Sequence, residues 1–273
     1  MLHLLEETMK NLSLLIALTI LFGADDKAPN QRTRDRDVDI HHIKIDVTVD
    51  LEEKSVSGNV THTLSAFNSS LSEFELDAED MEIHRVILDG KDISYNHHGE
   101  KVFLSLNKPI GWDDTVKVRL DYTAHPRRGT FFIAPDSVYP GKPWQAWTQG
   151  EDTDNHHWVP IYDYPNDKAT FETILTVEKK FLAISNGELM SLKDNKDGTH
   201  TWHWHEHFPM VSYLISYVIG EFEKVEDSYN GIPVNYWVYD ENKKEALRSF
   251  GLTPDMMKYF GEVTGVEYPF EKY

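Results

Sequence analysis

Gln149 and Glu151 are the side chains of this sequence best suited to recognise a ligand, since they stand two residues apart in an aromatic-rich segment. A carboxylate that pairs with a protonated amine makes a charge-assisted hydrogen bond and discriminates against blocked amines. The amide of Gln149 both donates and accepts, so it can align with the main chain of the same ligand. These residue types predict a site for a free amino group. The alternative is a solvated acidic loop, because Asp152 and Asp154 follow closely.

Histidine is the other residue type that could do chemistry, and adjacent pairs occur at His41-His42, His97-His98 and His156-His157. Adjacent residues of a strand point to opposite faces, so we expect that none of these pairs chelates one ion. His203, His205 and His207 share one face of an alternating segment, in which Trp202 and Trp204 mark the buried side. We therefore predict no metal ligand among these histidines.

A longer pattern surrounds Gln149 and Glu151. It consists of Gly129-Thr130-Phe131-Phe132, the segment 146–152, His156-His157-Trp158 and the run 163–170. This pattern resembles the zinc aminopeptidases of the aminopeptidase N and leukotriene A hydrolase family, and the resemblance extends over residues 37–273. It implies that Glu151 anchors the free amino terminus of a peptide substrate, with Gln149 beside it. It also implies that the run 163–170 positions this loop and does not react itself.

The same resemblance implies a metal cofactor. In that family, zinc is held by two histidines of a His-Glu-x-x-His helix and by a further glutamate, and it activates water with the motif's own glutamate as general base. Neither this motif nor the Gly-x-Met-Glu-Asn strand that precedes it occurs among the 273 residues. We therefore expect zinc in the full-length enzyme and none bound by this segment. The resemblance thus implies no catalytic residue and no metal ligand in this chain, and the chain as given should not cleave aminoacyl substrates.

Apolar residues that recur with a period of two predict strands over most of the chain, for example over residues 43–49. Turn dipeptides punctuate these runs at Asp89-Gly90 and Asp197-Gly198, and the second is expected to close a hairpin. The expected fold class is mainly β. The resemblance implies a large, saddle-like antiparallel β domain at residues 38–226, followed by the start of an α/β, thermolysin-like catalytic domain at residues 227–273.

A helix is predicted near the end of the chain. Thr253 can cap it, and Pro254 suits its first position. Met256, Phe260 and Val263 recur at helical spacing and would form its apolar face.

Composition excludes several classes of function. With 46 acidic and 27 basic residues the formal net charge is −19, which repels the phosphates of nucleic acids. The absence of cysteine excludes a disulfide scaffold, a thiolate zinc site and a cysteine nucleophile. A hydrophobic content of 40% is enough for a sizeable core.

The amino terminus carries an apolar run from Leu12 to Phe22, after Lys10, that is too short to span a bilayer. It predicts a signal peptide at residues 1–24, with translation starting at Met9, and a polar segment at residues 25–37. The expected location is therefore secreted or periplasmic, and no transmembrane span is predicted. The alternative is a buried N-terminal helix.

Two functions follow from these observations. The first is the N-terminal segment of a zinc-dependent aminopeptidase, which positions the free amino terminus of peptide substrates and works with a missing C-terminal catalytic portion. The second is a non-catalytic, secreted β module that binds peptide or carbohydrate, or that docks to a separate catalytic chain.

Overall fold

Alternation of apolar and polar residues builds the strands. In the first strand, Ile43, Ile45, Val47 and Val49 are buried, and the residues between them face outward. This computed structural model describes residues 33–273. The expected signal peptide at 1–24 and most of the polar segment lie outside the described residues.

The described part of the chain forms seventeen strands: β1 (Val38–Asp50), β2 (Ser55–Ala66), β3 (Leu71–Asp77), β4 (Met81–Leu88), β5 (Lys91–Asp92), β6 (Ser94–His98), β7 (Lys101–Ile110), β8 (Val116–Ala124), β9 (Thr130–Ile133), β10 (Gln145–Thr148), β11 (Ala169–Glu178), β12 (Leu182–Ser185), β13 (Glu188–Asp194), β14 (Thr199–Met210), β15 (Tyr217–Gly220), β16 (Glu223–Tyr229) and β17 (Ile232–Val238). Two α-helices follow, α1 (Ala246–Phe250) and α2 (Thr253–Thr264). Short 3-10 turns cover Asn155–His157, Ser212–Leu214 and Asp240–Glu245.

The strands assemble into four sheets. The largest has the order β13-β14-β11-β1-β2-β8-β4-β5, and the others are β12-β15-β10-β9, β3-β7-β6 and β16-β17. Within residues 33–273 the strand pairings are antiparallel except for β1 with β11, which run parallel with Ile45 opposite Thr173. The prediction of a mainly β fold with mostly antiparallel sheets is confirmed.

The predicted hairpin is also confirmed. β13 pairs with β14 through the turn at Asp197-Gly198, where Gly198 takes a φ of +95° that favours glycine. Along β14, Trp202 and Trp204 are buried as expected. The indole Nε1 of Trp204 donates to the carbonyl of Ala183 at 3.0 Å, which ties β14 to β12.

Two clusters of buried hydrophobic residues occur in the described part of the chain. The larger one runs from Val38 to Ile219 and takes in the inner faces of the three larger sheets. The smaller one is centred on Val234, Tyr236 and Met257, so it joins β17 to the helices. The domain boundary between residues 226 and 227 stays a prediction.

Helix α2 differs in detail from the prediction. Thr253 does not cap it, because the Thr253 hydroxyl donates to the carbonyl of Phe250 at 2.7 Å. Met257 and Gly261 are its buried residues, whereas the predicted apolar face that includes Phe260 is exposed. A hydrophobic period therefore identified the helix but not the face that packs. Among the described residues, no helix combines the length and the apolarity that crossing a membrane requires.

Candidate functional site

Gln149 and Glu151 lie in the loop that leaves strand β10. Antiparallel pairing of β10 with β9 brings this loop next to Gly129. The backbone N–H of Gln149 donates to the carbonyl of Gly129 at 2.8 Å. Both side chains are exposed. Within residues 33–273, neither side chain has a hydrogen-bond or ion-pair partner. The loop therefore presents one amide and one carboxylate to solvent from a backbone that is itself anchored.

Asn155 is the buried residue that anchors the far end of this loop. Its Nδ2 donates to the carbonyls of Ser212 at 2.7 Å and Ile215 at 3.0 Å, and its Oδ1 accepts the indole N–H of Trp158 at 2.8 Å. A Cβ at Gly150 would lie 2.6 Å from the Asn155 side chain, so only glycine fits there. Sequence reasoning missed Asn155, because the carbonyls to which it donates lie 57 and 60 positions further along the chain.

Aromatic side chains flank the loop in two different ways. Trp147 stacks on Phe131 with ring centroids 4.7 Å apart. Both rings are partly exposed, and Trp147 precedes Gln149 by two residues. Trp158 is fully buried and packs edge-on against Tyr217 at 5.1 Å. The first pair can wall a substrate subsite, whereas Trp158 belongs to the core.

The acids of the run 163–170 make contacts within the protein, and the expectation that this run does not react itself stays a prediction. Asp163 is buried and accepts the backbone N–H of His156 at 3.0 Å and the hydroxyl of Ser212 at 2.8 Å. Asp167 accepts the amide of Ile40 at 3.1 Å and pairs with Arg36. These carboxylates satisfy backbone amides and clamp the segment that follows the Gln149 loop.

His156 and His157 do not occupy a strand, so the premise of the prediction against a metal at this pair is wrong. They lie on the 3-10 turn Asn155–His157, and their rings stack with centroids 4.5 Å apart. A 3-10 turn rotates adjacent residues by about 120°, which lets two neighbouring rings share one side. Burial disfavours the His156 imidazolium, but hydrogen bonding and charge attraction from Asp163 outweigh it and raise the pKa of His156.

A second imidazole cluster lies on the outer face of the large sheet. Nε2 of His203 is 2.6 Å and Nε2 of His42 is 3.2 Å from the Glu172 carboxylate. Partial burial disfavours the charged carboxylate, but these hydrogen bonds and Lys44 lower the pKa of Glu172 to about 2. The outward position of the β14 imidazoles agrees with the sequence prediction.

The residues of the described helices do not form the ligand set of the catalytic zinc that the resemblance implies. Its ligands should sit on a helix as a His-Glu-x-x-His motif, which the 273 residues do not contain. Helices α1 and α2, the two α-helices in the described part of the chain, carry no histidine.

Comparison with known proteins supports the family that the sequence pattern resembles. The family model described as the peptidase M1 N-terminal domain matches residues 39–214. Leukotriene A-4 hydrolase of Xenopus laevis is 24% identical over 240 residues, which make up 83% of this chain and 38% of that protein. Mitochondrial aminopeptidase 2 of Saccharomyces cerevisiae is 24% identical over 257 residues, which make up 90% of this chain and 27% of that protein.

The fold is shared with a solved structure. The M1 zinc metallopeptidase from Deinococcus radiodurans aligns with a TM-score of 0.75 at 22% sequence identity, over 89% of this chain and 57% of that chain. This chain therefore spans less than two thirds of the length of each of these three proteins.

Proposed function

Because this chain belongs to the peptidase M1 N-terminal domain family, we propose that it is the N-terminal segment of a zinc-dependent aminopeptidase. Its role is to hold the free amino terminus of a peptide substrate through Gln149 and Glu151. Zinc and the residues that activate water come from the catalytic portion, and residues 227–273 form the beginning of that portion.

The observation that carries this proposal is that the Gln149 loop combines an anchored backbone with an exposed carboxylate. Asn155 and Gly150 hold its backbone in place, while the Glu151 carboxylate is exposed and has no partner within residues 33–273. A recognition group gains most when its support is rigid and its own polar atoms are free to bind the ligand. A carboxylate committed to an internal ion pair would offer neither advantage.

The chemistry of the segment is positional. The Glu151 carboxylate accepts hydrogen bonds from the substrate ammonium group, and the Gln149 amide aligns with the adjoining main chain. Fixing the amino terminus sets the distance to the scissile carbonyl, so exopeptidase specificity follows from this contact. Trp147 and Phe131 can supply an apolar wall for the first substrate residue.

Replacing Glu151 with Ala in the complete enzyme tests this role. A charge-assisted hydrogen bond contributes about 1.5 to 3 kcal/mol, so kcat/KM on aminoacyl substrates should fall roughly ten- to hundredfold. Glu151→Gln keeps the shape but removes the charge and should be impaired as well. The measurement is steady-state kinetics on substrates with a free α-amine.

Asp152→Ala is the matched control, because Asp152 is an exposed acid of the same loop. It should retain nearly full kcat/KM, since exposed charges without a fixed partner contribute little. Equal effects of the Glu151 and Asp152 replacements would assign both residues to a solvated acidic loop.

The gene itself offers a second test. An open reading frame that continues after Tyr273 into a His-Glu-x-x-His motif supports the aminopeptidase. A stop codon at that point would favour the non-catalytic β module. We also propose that the protein is exported, which places the enzyme in a secreted or periplasmic compartment.

A further inference from the structure

Glu79 lies beside the His156-His157 pair, although the two are distant in sequence. It follows β3, and its backbone N–H donates to the carbonyl of His156 at 2.9 Å. Asp77 and Ile161 exchange backbone hydrogen bonds of 2.8 and 3.0 Å just beyond it. The β3–β4 connection and the histidine turn are thus joined by main-chain contacts, which makes the spacing of their side chains well defined.

The two imidazoles converge on one carboxylate oxygen. Oε2 of Glu79 lies 3.8 Å from Nε2 of His156 and 3.7 Å from Nε2 of His157. These distances are too long for hydrogen bonds. Ligand atoms that share a tetrahedral zinc ion at about 2.0–2.2 Å stand about 3.3 Å apart. The ligand atoms of Glu79, His156 and His157 lie within 4.8 Å of one another, so small side-chain adjustments bring them around one ion.

The opposite nitrogen of each ring is already bound to a carboxylate. Nδ1 of His156 donates to Asp163 at 3.1 Å, and Nδ1 of His157 donates to Asp80 at 2.9 Å. A carboxylate only accepts, so the proton of each neutral ring is on Nδ1, and the lone pair of each Nε2 faces Glu79. Metal-binding histidines are oriented by carboxylates in this way.

Charge and burial at this place also favour a cation. Glu79, Asp80 and Asp163 bring three carboxylates to the cluster, and the side chains of Asp80 and Asp163 are 7% and 1% exposed. Arg127 contacts Oε1 of Glu79 and Oδ1 of Asp80, so it leaves Oε2 of Glu79 directed at the imidazoles. Asp154 adds a further carboxylate, with Oδ1 4.0 Å from Nε2 of His157.

We propose that Glu79, His156 and His157 bind one divalent transition-metal ion of the zinc type, with Asp80 and Asp163 orienting the two imidazoles. Two imidazoles and one carboxylate form a donor set that suits Zn²⁺, and Asp154 or water completes the shell. The ion is structural. It joins the β3–β4 connection to the turn that ends the Gln149 loop, and the assignment does not depend on aminopeptidase activity.

Zinc titration of the chain, after treatment with a chelator and dialysis, tests this site. Competition with a chromophoric chelator should reveal one tightly bound zinc ion per chain, and zinc should raise the Tm because it binds the folded state.

Glu79→Gln should weaken the affinity for this zinc ion more than tenfold and abolish the Tm shift. Asp80→Asn should weaken it about ten- to hundredfold, which is the usual effect of losing a carboxylate that orients a ligand. Co²⁺ should give intense visible absorption in the wild type and lose it in Glu79→Gln.

A double replacement at His203 and His205 is the control, because these partly buried imidazoles belong to the second imidazole cluster, on the outer face of the large sheet. This variant should keep the tightly bound zinc ion and the Tm shift. Circular dichroism establishes that Glu79→Gln is folded, and His156→Gln gives an independent test with the same expectation. Absence of a tightly bound zinc ion in the wild type overturns the proposal. So does unchanged affinity in both Glu79→Gln and His156→Gln, or loss of the site only in the His203 and His205 variant.

Discussion

At the scale of single residues, His62 is a buried titratable group inside the large sheet. Its Nε2 donates to the carbonyl of Pro160 at 2.9 Å, and its buried Nδ1 has no partner within residues 33–273. Burial disfavours the imidazolium more than the Pro160 contact favours it, so the pKa of His62 falls from 6.5 to about 4. His62 is therefore neutral in the folded protein at neutral pH, and charging it opposes folding.

The pH dependence of stability should show this residue. Between pH 6.5 and about 4, the unfolded chain binds a proton at His62 that the folded chain does not. The free energy of unfolding should therefore fall as the pH drops through this window, by about 2 kcal/mol at about pH 5 and about 3 kcal/mol in full. Urea unfolding of wild type and His62→Gln at about pH 7.5 and about pH 5 measures the difference.

His62→Gln cannot take up the proton but can still donate to Pro160, so it should lose this part of the pH dependence. His98 is exposed and serves as the control. His98→Gln should behave as the wild type does. An identical pH response of wild type and His62→Gln would show that His62 does not titrate in this window.

At the scale of elements, the Gln149 loop keeps its shape through close backbone approaches at two glycines. Gly129 precedes β9 with a φ of +71°, and a Cβ there would collide with the carbonyl oxygen of Asp154. Gly150 meets the side chain of Asn155 at the same end of the loop. Two glycines thus allow the Gln149 loop to fold against the turn that carries His156.

Gly129→Ala should disturb this loop. The methyl group adds a collision with rigid backbone to the strain of a positive φ, and overpacking of this kind costs about 1 to 3 kcal/mol. Gly99→Ala is the matched control, because Gly99 has a φ of +64° with open space around it. The free energy of unfolding should drop about 2 kcal/mol more in Gly129→Ala, and amide exchange should accelerate over residues 149–154. Equal losses in both variants would mean that the loop relaxes freely.

At the scale of the whole molecule, apolar surface is concentrated near the end of the described chain. The exposed residues there are Leu247, Phe250, Leu252, Met256, Tyr259, Phe260, Val263 and Val266. Other exposed large hydrophobic residues are spread along the described chain, from Phe67 to Tyr273. Exposed apolar residues that occur this densely are typical of a surface that contacts other protein.

Export is the prediction that concerns the whole chain. Protein recovered from its native host should lack residues up to about Ala24, since the run from Leu12 to Phe22 suits a signal peptide. Mass spectrometry of the intact protein measures this loss. Leu15→Arg places a charge within the run and should leave the leader attached, whereas Leu15→Val should be processed normally. An uncleaved wild-type chain in the cytosol would contradict export.

The sequence by itself determined the local features. A period of two identified the strands, Asp197-Gly198 closed its hairpin, and the spacing of Gln149 and Glu151 predicted a loop that offers an amide and a carboxylate. These features depend on residues that are near one another in the chain, where steric and turn preferences act directly.

Only the tertiary structure decided which distant residues meet. His157 and Asp80 lie 77 positions apart, and Asn155 reaches Ser212 across 57. The parallel pairing of β1 with β11 likewise joins segments separated by most of a domain. In the strands, a period of two indicates which face is buried but not which element covers it, and in helix α2 the period did not identify the buried face. That choice rests on packing of the whole core, so the Glu79 cluster could not be read from local sequence.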